Sequence, residues 1–356
     1  MSDHQRVLAY LENSFLKPLL VDPEVTDVSF NGLQLHYVHN HRGRQLSDIK
    51  TNEADVTNFV RQIANLTEQH FSYVNPILDV SVGPYRLNAV GPSIARLHYE
   101  KAITFSLRIG RSRFDPNPIK FKPDPLLDRL FHRLVDSGIS MVIAGKTGSG
   151  KTEFQKYLIS IMKPLSRVIV IDNVLELEGI AMGSGLDMNI WQVNDHLQGG
   201  DFSSLIANGL RSHPDWVIVA EARGVEMKEA LTAAMTGHPI ITTVHSLDVT
   251  TLPSRMARMV IAHQPALRYA ETLADIKDHF PILIHLRKRY EPDGRCIREI
   301  DQMAEMRSAS HKLKLIYEWD GKTATIHKLS RSLQRKLGDR LNDIESFVGK
   351  VESTNE

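Results

Sequence analysis

The sequence predicts an α/β fold: a P-loop nucleotide-binding core with a smaller α+β domain ahead of it. Three observations carry this. Gly145-Lys-Thr-Gly-Ser-Gly-Lys-Thr152 matches G-x-x-x-x-G-K-[ST] at every fixed position. An apolar run, Met141 to Ala144, precedes it and a helix-like segment, Glu153 to Ile161, follows, which is the strand–loop–helix setting that motif needs. Beyond it, short β-branched runs alternate with helix-like stretches, as in a mainly parallel sheet buried on both faces.

The elements follow in order. Val7 to Leu20 has apolar residues at helical spacing, Val25 to Val38 reads as a hairpin about Asn31-Gly32, and Val56 to Leu66 reads as a second helix. Leu78 to Val90 and Ile103 to Ile109 read as strands. This makes residues 1–113 an α+β domain. Four prolines between Phe114 and Leu126 oppose regular structure, so 114–126 reads as a linker. The core spans 127–330, with strands expected at Met141–Ala144, Val168–Ile171, Trp216–Ala220 and Ile240–Val244. Helices are expected at Phe202–Leu210, Val225–Met235 and Val249–Ala262. Later strands are expected at Pro281–Arg289, Cys296–Ile300, Lys312–Trp319 and Thr323–Leu329, with Asp293-Gly294 as a turn. Leu333, Leu337, Leu341, Ile344, Val348 and Val351 form a stripe that predicts an amphipathic helix over 331–356, packed on the protein's own core.

Bulk properties narrow the chemistry. At 356 residues the chain has ample core for one to three domains. A formal net charge of +1 supplies no global field for recruiting nucleic acid. The single Cys296 excludes an internal disulfide and a tetracysteine zinc site. Asp3, Arg6 and Glu12 do not suit a signal peptide. No apolar run approaches the roughly 18 residues of a membrane span, so a peripheral, cytoplasmic protein is expected.

The loop's chemistry follows from its residue types. Gly145, Lys146, Thr147, Gly148, Ser149, Gly150, Lys151 and Thr152 would turn backbone N–H groups and a helix N-terminus toward phosphates. Lys151 would reach the β- and γ-phosphates of ATP, and the Thr152 hydroxyl would hold Mg²⁺. Acids and histidines stand at further strand ends. Asp172 and Glu176 follow Val168–Ile171. Glu221 ends a strand that fits a Walker B segment, and His238 and His245 bracket Ile240–Val244.

In this order the motifs resemble the secretion and pilus motor ATPases of type II and type IV secretion, conjugation, twitching motility and tight adherence. That family shows a Walker A loop, an acidic box, an atypical Walker B and a histidine box. Here they look like Gly145–Thr152, Ile171–Glu176, Leu210–Arg223 and Gly237–His245. Asp27-Val-Ser-Phe-Asn-Gly32, Gly83-Pro-Tyr-Arg86 and Leu107-Arg108 resemble its N-terminal strands. Asp172-Asn173 departs from the usual Glu-Asp pair.

The resemblance implies a RecA-like ATPase core and several roles. Glu176 polarises the attacking water, Glu221 lies near the Mg²⁺ shell, and His245 senses the γ-phosphate. Arg86, Arg108, Arg211 and Arg223 are candidates for the charge clamp, the first two closing from the N-terminal domain. It further implies a homohexameric ring at the inner face of the cytoplasmic membrane, working with membrane-platform or secretion-channel proteins. No sequence-specific contact with nucleic acid is expected. Two other readings are a nucleotide-binding scaffold with little turnover and a recombinase or helicase on the same core. Against the latter, no basic run is interleaved with aromatics.

Overall fold

The computed structural model describes residues 3–110, 125–181, 185–194, 197–292, 296–306, 313–338 and 349–352. The chain forms two compact units. The first comprises Met1–Ser112 with Val174–Glu176 and Tyr290–Ile297; the second comprises Arg113–Asn173, Leu177–Arg289 and Arg298–Glu356.

The first unit begins with α1 (Asp3–Glu12) and α2 (Lys17–Val21), where one helix was expected, and continues through β1 (Val25–Phe30), β2 (Leu35–His39) and β3 (Gly43–Leu46). Then come α3 (Glu53–Leu66), β4 (Ile77–Val82), β5 (Tyr85–Val90), the short β6 (Arg96–Leu97) and β7 (Glu100–Lys101), and β8 (Thr104–Ile109). Six strands make one antiparallel sheet in the order β3-β2-β1-β8-β5-β4. Alternation decides its faces. On β8, Phe105, Leu107 and Ile109 are buried while Ser106 and Arg108 are exposed. The apolar face packs against α1 and α3 through Val7, Leu11, Phe59 and Ile63. Asn52 caps α3, its side chain accepting from the Asp55 N–H at 2.9 Å. The stretch expected as one strand over 78–90 is a hairpin, turned at Gly83-Pro84.

The second unit opens with α4 (Pro125–Asp136), β9 (Met141–Gly145), α5 (Lys151–Ser160), β10 (Arg167–Asp172) and α6 (Glu178–Ala181). It continues with β11 (Asp187–Gln192), α7 (Phe202–Leu210), β12 (Trp216–Val219), α8 (Val225–Met235), β13 (Ile240–Val244), α9 (Leu252–His263) and α10 (Tyr269–His279). It ends with β14 (Ile282–Tyr290), β15 (Cys296–Glu305), β16 (Lys314–Trp319), β17 (Thr323–Ile326), α11 (Arg331–Leu337) and β18 (Gly349–Glu352). The sheet runs β11-β10-β12-β13-β9-β14-β15-β16-β17-β18. From β11 to β14 it is parallel, and β15 to β18 pair antiparallel.

Every residue of β9, β12 and β13 is buried, because helices cover both faces. Met141, Ile143, Ile218 and Ile241 pack with Phe131, Phe154 and Leu158 of α4 and α5. Val142, Ala144, Val217 and Val244 pack with Ile206, Met227 and Met256 of α7, α8 and α9. Each of these side chains larger than Ala144 contributes about 1.5–3 kcal/mol when fully buried.

Most of the expected linker lies outside the described residues, as does the Asp293-Gly294 turn. Pro125 and Leu126, read as linker, begin α4 instead, proline being well suited to a first helical turn. The C-terminal helix expected over 331–356 is corrected. α11 stops at Leu337, followed by Gly338 at φ +69°, and Gly349–Glu352 is a strand paired with β17. Of the stripe, Leu333 and Leu337 are buried in the core beside Ile316 and Ile326.

A buried polar knot stiffens the sheet beyond β14. Glu299 (β15), only 3% exposed, accepts from Arg287 at 2.7 Å, Arg289 at 3.1 Å and the Trp319 indole at 2.8 Å. Removing its carboxylate strands these donors. Glu299→Ala is expected to destabilise the protein by about 3 kcal/mol, the low end of such losses because the arginines keep some solvent. Urea unfolding reads this directly; an unchanged midpoint would contradict it.

Candidate functional site

The parallel order places the carboxyl ends of β9, β10, β12 and β13 along one edge of the core sheet. At the end of β9 the chain turns through the glycine-rich loop into α5. Gly145 sits at φ +153°, and a Cβ there would stand 2.5 Å from the Leu286 carbonyl oxygen, so only glycine fits. Gly150, left-handed at φ +93°, caps α5 without a side chain, leaving the first N–H groups of the helix directed out of its end. Ser149 is fully buried and its hydroxyl has no hydrogen-bond partner among the described residues.

Lys151, the first residue of α5, is 8% exposed. Its Nζ donates to the carbonyls of Gly145 at 3.1 Å and Lys146 at 3.4 Å, and lies 3.2 Å from Nδ1 of His245. His245 follows β13, and its Nε2 is 2.8 Å from Oε1 of Glu221, just past β12. That approach has the distance of a hydrogen bond without its alignment. Arg223 donates to Oε2 of Glu221 at 2.6 Å. Nδ1 of His245 also lies 3.2 Å from the Gly145 carbonyl oxygen. Lys151 can only donate and a carbonyl can only accept, so a proton on Nε2 serves the Lys151 contact and the approach to Glu221, and a proton on Nδ1 serves the Gly145 contact. Burial and the Lys151 charge hold the imidazole below its ordinary pKa, against the pull of Glu221. Burial raises the Glu221 pKa, but the Arg223 bond and charge, with His245 and Lys151, outweigh it and keep the carboxyl below its usual range. The result is a chain of contacts from Arg223 through Glu221 and His245 to Lys151.

Several supports were not apparent from sequence. Gln155 of α5 is fully buried and donates to the carbonyls of Val219 at 3.1 Å and Ile241 at 3.3 Å, tying the P-loop helix to the strands that carry Glu221 and His245. Thr243 donates to the Ala220 carbonyl at 2.8 Å, fixing the backbone next to Glu221. Arg298 on β15 donates to the Gly148 carbonyl at 2.9 Å and steadies the loop tip. An amide on an otherwise apolar helix face was the one readable sign among them.

Other expected site residues fall elsewhere. Asp172 ends β10 and is buried. Glu176, in the loop beyond it, is half-buried and clusters with the first unit; Leu175, just before it, has φ +56°. Arg86 on β5 and Arg108 on β8 are register partners within the first unit. Arg86 pairs with Asp79 and Arg108 with Asp27, each at 3.3 Å, which offsets the repulsion of two cations set opposite one another. Arg211 and His238 lie at the amino ends of β12 and β13, the sheet edge away from the P-loop. Near Arg211, Arg167 donates to the Ser212 carbonyl at 2.6 Å, and His238 is bonded to Thr236 at 2.9 Å. The stretch Leu210–Arg223 is thus divided between two edges, with Glu221 and Arg223 alone at the P-loop side.

Relatives share this framework. An uncharacterized protein of Bacillus anthracis is 26% identical over 91% of this chain and 74% of its own length. The type IV secretion system protein PtlH of Bordetella pertussis is 27% identical over 49% of this chain and 55% of its own. The crystal structure of the Legionella pneumophila ATPase DotB superposes with a TM-score of 0.62 at 18% identity, over 83% of this chain and 80% of that one, and shows a shared fold with a RecA-like core. The profile described as "Type II/IV secretion system protein" matches residues 111–296. That stretch is more than half of the chain and includes all four motifs read from the sequence, so the protein belongs to the type II/IV secretion system protein family.

Proposed function

We propose that this protein hydrolyses MgATP and uses the energy as a motor for secretion, conjugation or pilus assembly and retraction. The observation that supports this best is Lys151 held in the P-loop in direct contact with His245, which in turn reaches Glu221. A change at the phosphate end of the loop has a physical route to two neighbouring strand ends.

The residues present suit a nucleotide and its metal ion. The loop amides and Lys151 would bind the β- and γ-phosphates. The Thr152 hydroxyl and the Glu221 carboxylate are hard oxygen donors of the kind Mg²⁺ takes, Glu221 acting through water. Bound there, the ion would neutralise charge on the β- and γ-oxygens. Glu176 takes the proton of the attacking water as the new O–P bond forms and the bond to ADP breaks. His245, neutral and lodged between Lys151 and Glu221, registers whether Lys151 is engaged. Arg223 keeps Glu221 ionised. Steady-state phosphate release with MgATP tests the reading; binding without turnover would leave a nucleotide-binding scaffold instead.

The working form is a closed homohexameric ring on the inner face of the cytoplasmic membrane, engaging platform or channel proteins. No helix among the described residues is long and apolar enough to cross a membrane, so a peripheral association fits. A head-to-tail interface lets a neighbour complete each site. Light scattering at micromolar concentration with MgATP should give a ring mass, and a strict monomer would count heavily against the motor.

Arg86 contributes on closure. Arg86→Ala is expected to lower turnover far more than nucleotide affinity, because a guanidinium engaged mainly in the transition state acts on kcat. Its partner Asp79 is exposed, and such a pair holds it by only about 0–1 kcal/mol. Paired measurements of fluorescent-nucleotide binding and of phosphate release at saturating ATP decide it. Unchanged turnover would make Arg86 a surface residue of the first unit.

A further inference from the structure

α9 has a buried side, where Leu252, Met256 and Val260 join the core, and an outer side at helical spacing that carries Ser254, Arg255, Arg258 and Ala262. The outer side walls a groove of about 880 Å³ that extends to the P-loop tip at Lys146 and Thr147. No carboxylate and no phenyl, phenol or indole ring lines this groove. Lys146, Arg223, Arg255 and Arg258 do, together with two imidazoles. Glu221 matches the charge of Arg223. Arg255 and Arg258 are exposed and make no side-chain hydrogen bond or ion pair with other described residues. Two like charges three residues apart on one helix repel, so the helix bears a small cost to display them together.

The groove is a built feature. At its far end His263 packs against the turn into α8 so closely that a Cβ on Gly224 would stand 2.5 Å from the imidazole Nε2. This fixes the last turn of α9 against the start of α8, and with it the spacing of the arginines from Arg223. Thr251 and Ser254 line the same wall, their hydroxyls donating to the Asp248 carboxylate and to the Thr251 carbonyl, each at 2.9 Å.

We propose that this groove binds a small polyphosphorylated anion, with two or more linked phosphates, through the side chains of α9 beside the P-loop cradle. Arginine forks match the paired oxygens of phosphate groups, and several fixed cations in a row suit an anion with several linked charges. The concave wall does not fit the plane of lipid headgroups. It lacks the phenyl, phenol and indole rings on which single-stranded nucleic acid most often stacks its bases. The P-loop cradle works through backbone amides and Lys151, whereas this site works through the side chains of α9. The proposal therefore goes beyond the ATPase reading and does not depend on it.

Inorganic tripolyphosphate is the probe, titrated calorimetrically into the full chain. Because tripolyphosphate also suits a P-loop, the comparison is made between Lys151→Ala and the same variant carrying Arg255→Ala and Arg258→Ala. The Lys151→Ala protein is expected to bind tripolyphosphate, and the added arginine changes to weaken it roughly tenfold or more, an affinity change of about 1.4 kcal/mol. Thermal melts establish that each protein is folded, and Arg255→Gln with Arg258→Gln replaces the alanine pair if that pair is not. No binding to Lys151→Ala, or equal binding with and without the arginines, overturns the proposal. So does tighter binding of a hexa-aspartate peptide, which would assign the groove to an acidic protein partner. Phosphate release by the wild type is read separately, so failure of the motor reading and failure of this one are told apart.

Discussion

Lys151→Ala is expected to lower ATP hydrolysis below detection and to weaken nucleotide binding. Its ammonium is almost buried, 3.1 Å from the Gly145 carbonyl and 3.2 Å from His245, so its position is set before a phosphate arrives. A pre-placed donor of this kind is typically worth roughly 10²–10³-fold in turnover. The ground-state share is smaller: a hydrogen bond to a charged group contributes about 1.5–3 kcal/mol, a loss of roughly ten- to a hundred-fold in affinity. Removing the lysine also leaves His245 with one fewer partner at Nδ1, which loosens its alignment toward Glu221. Lys151→Arg should not restore turnover, because a planar guanidinium does not reproduce the contacts that a compact ammonium makes with the Gly145 and Lys146 carbonyls. Phosphate release and equilibrium binding of a fluorescent ATP analogue measure the two effects. Wild-type turnover in Lys151→Ala would refute the assignment of the loop.

The position of Lys151 shows what was legible in the sequence. Gly145 ends an apolar run and Gly150 stands just ahead of a helix, each where the backbone needs a conformation that glycine adopts readily, so the loop is visible as a local pattern. The buried strands are visible for the same reason: β-branched runs with charges only at their ends. The contact of Lys151 with His245, and of His245 with Glu221, was not visible. It depends on the strand order β12-β13-β9, which places the first strand of the core beside its fifth and leaves no local trace.

Edge elements were also obscure. β11 is flanked by a single partner and none of its residues is buried, so burial imposes no pattern on Asp187–Gln192. The C-terminal stripe misled because apolar residues at helical spacing, Leu341, Ile344, Val348 and Val351, continue past Gly338, which ends α11 at φ +69°. Arg211 misled for a different reason. It shares a motif with Glu221, but a strand of four buried residues separates them, and a strand has two ends. Nor does chain order announce that Val174–Glu176 and Tyr290–Ile297 cluster with the first unit.

Glu176→Gln is expected to bind MgATP and hydrolyse it roughly 10²–10⁴-fold more slowly, the usual worth of a proton-transfer group. The amide keeps the shape of the side chain and loses the basic oxygen. The structure separates Glu176 from its two competitors. Glu221 has one carboxylate oxygen bonded to Arg223 and the other facing His245, and this setting holds its pKa below the usual range. An acid held so firmly anionic is a poor acceptor for a proton and a good fixed charge. Glu221→Gln should therefore lower affinity and turnover together, by releasing Arg223 and His245 from their places. Asp172 is 5% exposed at the end of β10, enclosed by the sheet. Asp172→Asn is close to isosteric and should cost least, as expected of a residue that supports the strand end. Glu176 is half-buried, and its carboxylate makes no hydrogen bond or ion pair with another described residue, so both oxygens remain available to water. The three variants are compared in one assay: phosphate release at saturating MgATP, with nucleotide affinity measured alongside. The expected pattern is a large loss of turnover with retained binding in Glu176→Gln, a joint loss in Glu221→Gln, and a small loss in Asp172→Asn. If Asp172→Asn or Glu221→Gln instead bound MgATP normally and stalled while Glu176→Gln turned over, the proton would go to that acid, and Glu176 would be an acid of the first unit alone.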